Sequence, residues 1–110
     1  MDKINFYYDM KALHNIPKEV KDKYFEIITK VRNSNYLPDG GQRVLLVLPT
    51  RETANKEFKK ILVETNYTRI NNNEVKCIVS NNQYCFVDLD TIIFTNFLHG
   101  KTFADIRFLG

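Results

Sequence analysis

Apolar residues recur along this chain at two different periods, and the change of period marks its elements. Ile4 to Tyr8 is a short β-prone run. Asn15 followed by Pro17 has the form of a helix start, a capping side chain ahead of a first-turn proline. Val20, Tyr24, Ile27, Ile28 and Val31 then repeat at helical spacing, which predicts a helix with one core-facing stripe. Asn33 to Gly41, rich in Asn, Pro and Gly, ends it. Arg43 to Leu48 is nearly continuous apolar sequence, as a central parallel strand covered on both faces requires. Pro49 and Thr50 stop that strand. The next helix carries Ala54, Phe58, Ile61 and Leu62 on one side and Lys56, Lys59 and Lys60 on the other.

From Tyr67 onward the pattern becomes strand-like. Val75 to Val79 and Tyr84 to Val87 flank Ser80-Asn81-Asn82-Gln83 and predict a hairpin. Thr91 to Phe94 is a β-branched run, Phe97 to Lys101 a bend, and Ala104 to Leu109 a last strand. There is no internal repeat and no linker. This order predicts a single α/β domain over 1–110: a three-layer sandwich with a mostly parallel sheet and a mixed edge hairpin.

Composition narrows the class. A chain of 110 residues, 44% hydrophobic and 26% charged, is an ordinary globular domain. Its net charge of +3 permits a nucleic-acid partner without requiring one. Cys77 and Cys85 are too few for a disulfide scaffold and read as reduced, partly buried thiols. The first residues carry no apolar signal core, and the longest apolar run, Val44 to Leu48, is too short to span a bilayer. A cytoplasmic protein with no membrane partner is the expectation. Abundant Asn, Lys and Ile point to an AT-rich genome, such as that of a low-GC bacterium or its phage.

The sharpest local feature is Val44-Leu45-Leu46-Val47-Leu48-Pro49-Thr50-Arg51-Glu52-Thr53-Ala54. It resembles the first nucleic-acid-contacting motif of helicases and phage terminase ATPases, in which an apolar strand ends in Pro-Thr-Arg-Glu and runs into a helix. The chemistry suits that use. A helix start offers free N–H groups and a positive dipole end to a phosphate. Thr50 and Arg51 add a hydroxyl and a guanidinium. Ile92 to Phe108 is similar to the segment before the acidic magnesium site of terminase-like ATPases, where a leucine-glycine-basic bend leads into an apolar strand.

Two parts of that family pattern are missing. The place of the glycine-rich phosphate loop holds Asp9 to Pro17, which has no glycine. The last strand ends in Phe108-Leu109-Gly110, where the family has two acids. The resemblance therefore implies a degenerate P-loop NTPase core with no cofactor, no metal and no ATP hydrolysis.

Other constellations read as structural. Gly100-Lys101-Thr102 lacks the glycine five residues earlier that a phosphate loop needs, since Thr95 stands there. Asp39 with Glu74-Val75-Lys76 mimics the spaced acids and lysine of restriction-type nucleases, but a whole helix intervenes; a turn aspartate and a solvated strand start are expected. Asp88 and Asp90 alternate as on one strand face and, without a third ligand, mark a solvated strand end. His14 and His99 have no ligand-spaced companions. Among consecutive Phe6, Tyr7 and Tyr8, one ring should face outward unless it covers a sheet edge.

These readings predict a non-catalytic binding protein, with no catalytic residue. Its binding surface is expected at Thr50, Arg51, Lys56 and Lys59, with Lys101 as a further cation. The partner is nucleic acid or a host or phage protein. The rival is a protein antagonist or adaptor that uses the fold as a scaffold.

Overall fold

A computed structural model describes residues 16–109. The run Ile4 to Tyr8, the Asn15 cap and His14 lie outside the described residues. The elements are α1 (Lys18–Val31), β1 (Arg43–Leu48), α2 (Arg51–Leu62), β2 (Tyr67–Arg69), β3 (Glu74–Cys77), β4 (Gln83–Asp88), α3 (Leu89–Phe94) and β5 (Asp105–Phe108). The domain is mixed α/β, with one five-stranded sheet in the order β2-β3-β4-β1-β5.

The sheet departs from the mostly parallel arrangement that the sequence suggests. β1 pairs in parallel with β4 and with β5, while β2–β3 and β3–β4 are antiparallel. The cause is connection length. The short links after β2 and β3 can only return the chain antiparallel, whereas a parallel neighbour needs a longer crossover. The predicted hairpin around Ser80-Asn81-Asn82-Gln83 is therefore present as β3–β4. β3 ends earlier than expected, at Cys77, leaving Ile78 and Val79 exposed in the turn.

Thr91 to Phe94 is the largest correction, for it is helical and belongs to α3. Asp88 ends β4 and caps that helix, accepting the Thr91 N–H at 3.0 Å. Leu89, Ile92 and Ile93 are buried, at the i, i+3, i+4 spacing of a short helix face. A smaller correction concerns α1. Pro17 is the N-cap itself, with extended backbone, and its carbonyl accepts the Lys21 N–H at 3.0 Å.

Buried apolar side chains fall into two clusters. One joins Tyr24, Ile28 and Val31 of α1 to Ile92 and Ile93 of α3 and to Phe103, Ile106 and Phe108. The other joins Ala54 and Phe58 of α2 to Tyr67, Val75, Tyr84 and Phe86. β1 serves both: Leu45 and Val47 enter the first, Val44, Leu46 and Leu48 the second. Successive strand residues point to opposite sides, so its unbroken apolar run is used in full. Each fully buried Leu or Val side chain contributes about 1.5–3 kcal/mol.

A polar latch holds the approach to β1 against the β3–β4 turn. Gln42 N–H donates to Asn82 Oδ1 at 2.9 Å, and Gln83 N–H to the Gln42 carbonyl at 2.9 Å. Gly41 is buried beneath Asn81, where an added Cβ would lie 1.9 Å from the Asn81 carbonyl oxygen. Only glycine fits that contact.

Cys77 and Cys85 are both buried and unpaired. They sit on adjacent strands but in different clusters, so their side chains point to opposite sides of the sheet. An internal disulfide is geometrically excluded. Burial, aided by the Glu74 carboxylate and partly offset by Arg43 and Lys101, pushes the Cys85 thiol from 9.0 up to about 12. The folded protein thus holds this proton more tightly than the unfolded chain. The stability this confers is complete below about pH 9 and is lost as the pH rises toward 12. Urea titrations from pH 9 to 11 should show wild-type stability falling more steeply than that of Cys85→Ala, by about 1.4 kcal/mol per pH unit. Parallel curves would contradict the buried-thiol assignment.

Candidate binding surfaces at the carboxyl edge and between the helices

The carboxyl ends of β1 and β4 lie side by side, with Leu48 opposite Asp88. Each strand runs directly into a helix. After β1, Thr50 caps α2 through a reciprocal box: its Oγ1 accepts the Thr53 N–H at 3.2 Å, and its own N–H donates to Thr53 Oγ1 at 3.2 Å. The Thr50 hydroxyl is therefore engaged in holding the helix start. Arg51, the first helical residue, is exposed.

After β4, Asp88 performs the equivalent task from a buried position. Its Oδ1 also accepts the Thr91 hydroxyl at 2.6 Å. This corrects the reading of Asp88 as a solvated strand end: the carboxylate faces inward because it satisfies the first turn of α3. Asp90 lies within that helix and is exposed. Arg51, Asn55, Asn73, Asp88, Thr91 and Phe97 line a small cleft of about 240 Å³ at this edge.

The four cations and one hydroxyl expected to bind do not form one surface. Arg51 opens onto the edge cleft, and Lys59 follows it two turns along α2, at i+8. Lys56 is exposed on the neighbouring stripe of the same helix. Lys101 belongs elsewhere. It lines a larger concavity between α1, α3 and the segment after α3, with its ammonium 5.1 Å from the Phe97 ring centroid.

The nuclease-like triad is closer in space than its spacing suggests, yet each member is already engaged. Lys76 Nζ pairs with Asp39 Oδ2 at 2.5 Å. That hydrogen bond, with a second from the Gly41 N–H, holds the Asp39 carboxyl below its ordinary range. Glu74 is buried, not solvated as expected. It accepts from Arg43 at 3.3 Å and from Asn71 at 2.9 Å. These bonds join the antiparallel strands to β1 across β4. Among the described residues no group of three or more His, Cys, Asp or Glu is placed to hold a metal ion, and His99 is exposed. No described helix is long and apolar enough to cross a membrane.

Sequence reasoning singled out Lys101 but missed the Asp88 cap and the two other lysines of the larger concavity, Lys23 and Lys30. Asp88-Leu89-Asp90-Thr91 carried a usable signal, an N-cap acid ahead of a helical apolar triplet. Lys23 and Lys30 had none, because they lie on α1, more than 70 residues before Lys101 in the bend.

Replacing Asp88 by alanine removes the acceptor for two donors, and should lower stability by about 1–2 kcal/mol in urea unfolding. Asp88→Asn retains an amide oxygen at the same place and should lose less. An Asp88→Ala protein as stable as the wild type would contradict the capping role. Comparison of the chain with protein-family models, curated proteins and solved structures finds no match.

Proposed function

We propose that the protein is a non-catalytic, helicase- and terminase-like binding domain, built as a three-layer α/β sandwich, which engages nucleic acid through the start and outer stripe of α2. The observation that carries this reading is the position of Arg51. β4 and β1 are adjacent and parallel, and the helices that follow them enter different hydrophobic clusters. In open α/β sheets such a divergence opens a crevice outside the carboxyl ends, where ligands gather. Arg51 lines that crevice, and Lys56 and Lys59 extend positive charge along the exposed side of α2.

At the carboxyl edge, cleft size favours surface binding over the holding of a whole small molecule. Pockets for whole small molecules span about 300–1,000 Å³, and this cleft offers about 240 Å³. It suits one phosphate or one side chain of a larger partner. The described residues also supply no nucleophile-base pair at this edge: Thr50 and Asp88 are both occupied in capping. The Asn-, Lys- and Ile-rich composition supports a phage or low-GC bacterial source.

The rival reading, an adaptor that grips a protein, draws support from Ile78 and Val79, both more than half exposed on the β3–β4 turn. Salt distinguishes the two. Binding of fluorescein-labelled oligonucleotides, followed by anisotropy, should weaken steeply as salt rises. Arg51→Ala and Lys59→Ala should each lower the log–log salt slope by about 0.7–0.9. A tight partner that survives nuclease treatment and high salt, with no oligonucleotide binding, would replace this reading with the adaptor.

A further inference from the structure

The concavity that holds Lys101 is the larger of the two. On α1, Lys23, Ile27 and Lys30 recur at i, i+4 and i+7, so both ammonium groups lie along one stripe of the helix. The opposite wall is α3 and the segment after it. That segment is pinned by its own hydrogen bonds. Phe97 N–H donates to Thr95 Oγ1 at 3.1 Å, His99 N–H to the Asn96 carbonyl at 3.0 Å and Lys101 N–H to the Leu98 carbonyl at 3.1 Å. Leu98 is buried and anchors it. The two walls flank an open groove of about 600 Å³.

The lining is of one charge sign. Lys23, Lys30 and Lys101 face this space beside His99, and among the described residues no Asp or Glu lines it. Lys30 has a carboxylate neighbour, Glu26 at 3.3 Å, but both side chains are more than two-thirds exposed. Such pairs are weak and screened by salt, so Lys30 is available to another anion. Asn96 adds an amide to the same lining. Phe94 is not itself a lining residue, but it stands between Ile93 and Thr95, which are. It is 73% exposed, with the Nζ of the lining residue Lys23 5.9 Å from its ring centroid. A large exposed ring beside a cation has no role in either hydrophobic cluster.

We infer that this α1–α3 concavity is a second binding site, for single-stranded nucleic acid: the lysines take the phosphodiester backbone and Phe94 stacks on an unpaired base. Positive grooves with an exposed aromatic are how proteins hold single strands without reading sequence. Lysine suits the backbone as a point charge with three rotatable donors. The groove lies within the size range of pockets for small molecules, unlike the edge cleft. The site needs neither Arg51 nor Lys59, so it stands or falls separately from the α2 surface.

The test uses the full chain and a fluorescein-labelled twelve-nucleotide oligothymidylate, with a duplex of equal length as competitor. Lys23→Ala/Lys101→Ala should weaken single-strand binding about tenfold and lower the salt slope by about 1.4, or 0.7 for each lysine. Phe94→Ala should weaken it at least about fivefold with the slope unchanged, because stacking releases no counterion. Arg51→Ala/Lys59→Ala should retain this component. Lys23, Phe94, Arg51 and Lys59 are exposed and Lys101 is half-buried; circular dichroism verifies that each variant is folded.

Loss of binding only in the Arg51/Lys59 variant overturns the second site and leaves the α2 surface standing. Loss only in the Lys23/Lys101 and Phe94 variants does the reverse. Equal competition by the duplex overturns the single-strand assignment, and absence of any oligonucleotide binding overturns both surfaces.

Discussion

β1 must be covered on both faces, and the rest of the domain is arranged around that need. Leu45, Leu46 and Val47 are fully buried, and consecutive residues of a strand cannot all point the same way. One set of helices is therefore not enough. α1 and α3 supply Tyr24, Ile28, Ile92 and Ile93 to one cluster, and α2 supplies Ala54 and Phe58 to the other. β4 and β5 flank β1 in the sheet and satisfy its backbone on both edges. Remove any one of these and the most apolar segment of the chain meets water.

The polar interactions follow from the same constraint, because β1 also has to be joined to an antiparallel unit with a different direction of travel. Arg43, at the first position of β1, reaches over β4 to buried Glu74 on β3. The guanidinium also lies 5.4 Å from the Phe103 ring centroid. Just before β1, Gly41 packs under Asn81, and Asp39 pairs with Lys76. Together they fix the amino end of β1 against the β3–β4 turn. Its carboxyl end opens into the two helix starts, where Arg51 and Asp88 line the edge cleft.

Much of this was legible in the sequence, for physical reasons that differ by element. The bounds of β1 could be read directly, since an unbroken apolar run between Gly41 and Pro49 has few alternatives. The stripes of α1 and α2 were equally plain, because periodicity survives any tertiary context. α3 was not. Thr91, Ile92, Ile93 and Phe94 all favour strands individually, and six residues are too few for periodicity to outvote propensity. The Asp88 cap decided the matter, and it can be weighed only once β4 is known to end there. Glu74 misled in another way: a carboxylate at a strand start looks solvated until Arg43, 31 residues earlier, is brought to it. Of the residues proposed to bind, Arg51 could be found locally, whereas the lysines of the helical concavity are united only by folding.

Native-state hydrogen exchange tests the central position of β1 most directly. Amides of Leu45, Leu46 and Val47 should exchange only through global unfolding, with an opening free energy equal to that from urea denaturation at the same pH. Exchange of these amides through a local opening at a fraction of that free energy, while α2 stays protected, would show that the domain is not built around this strand.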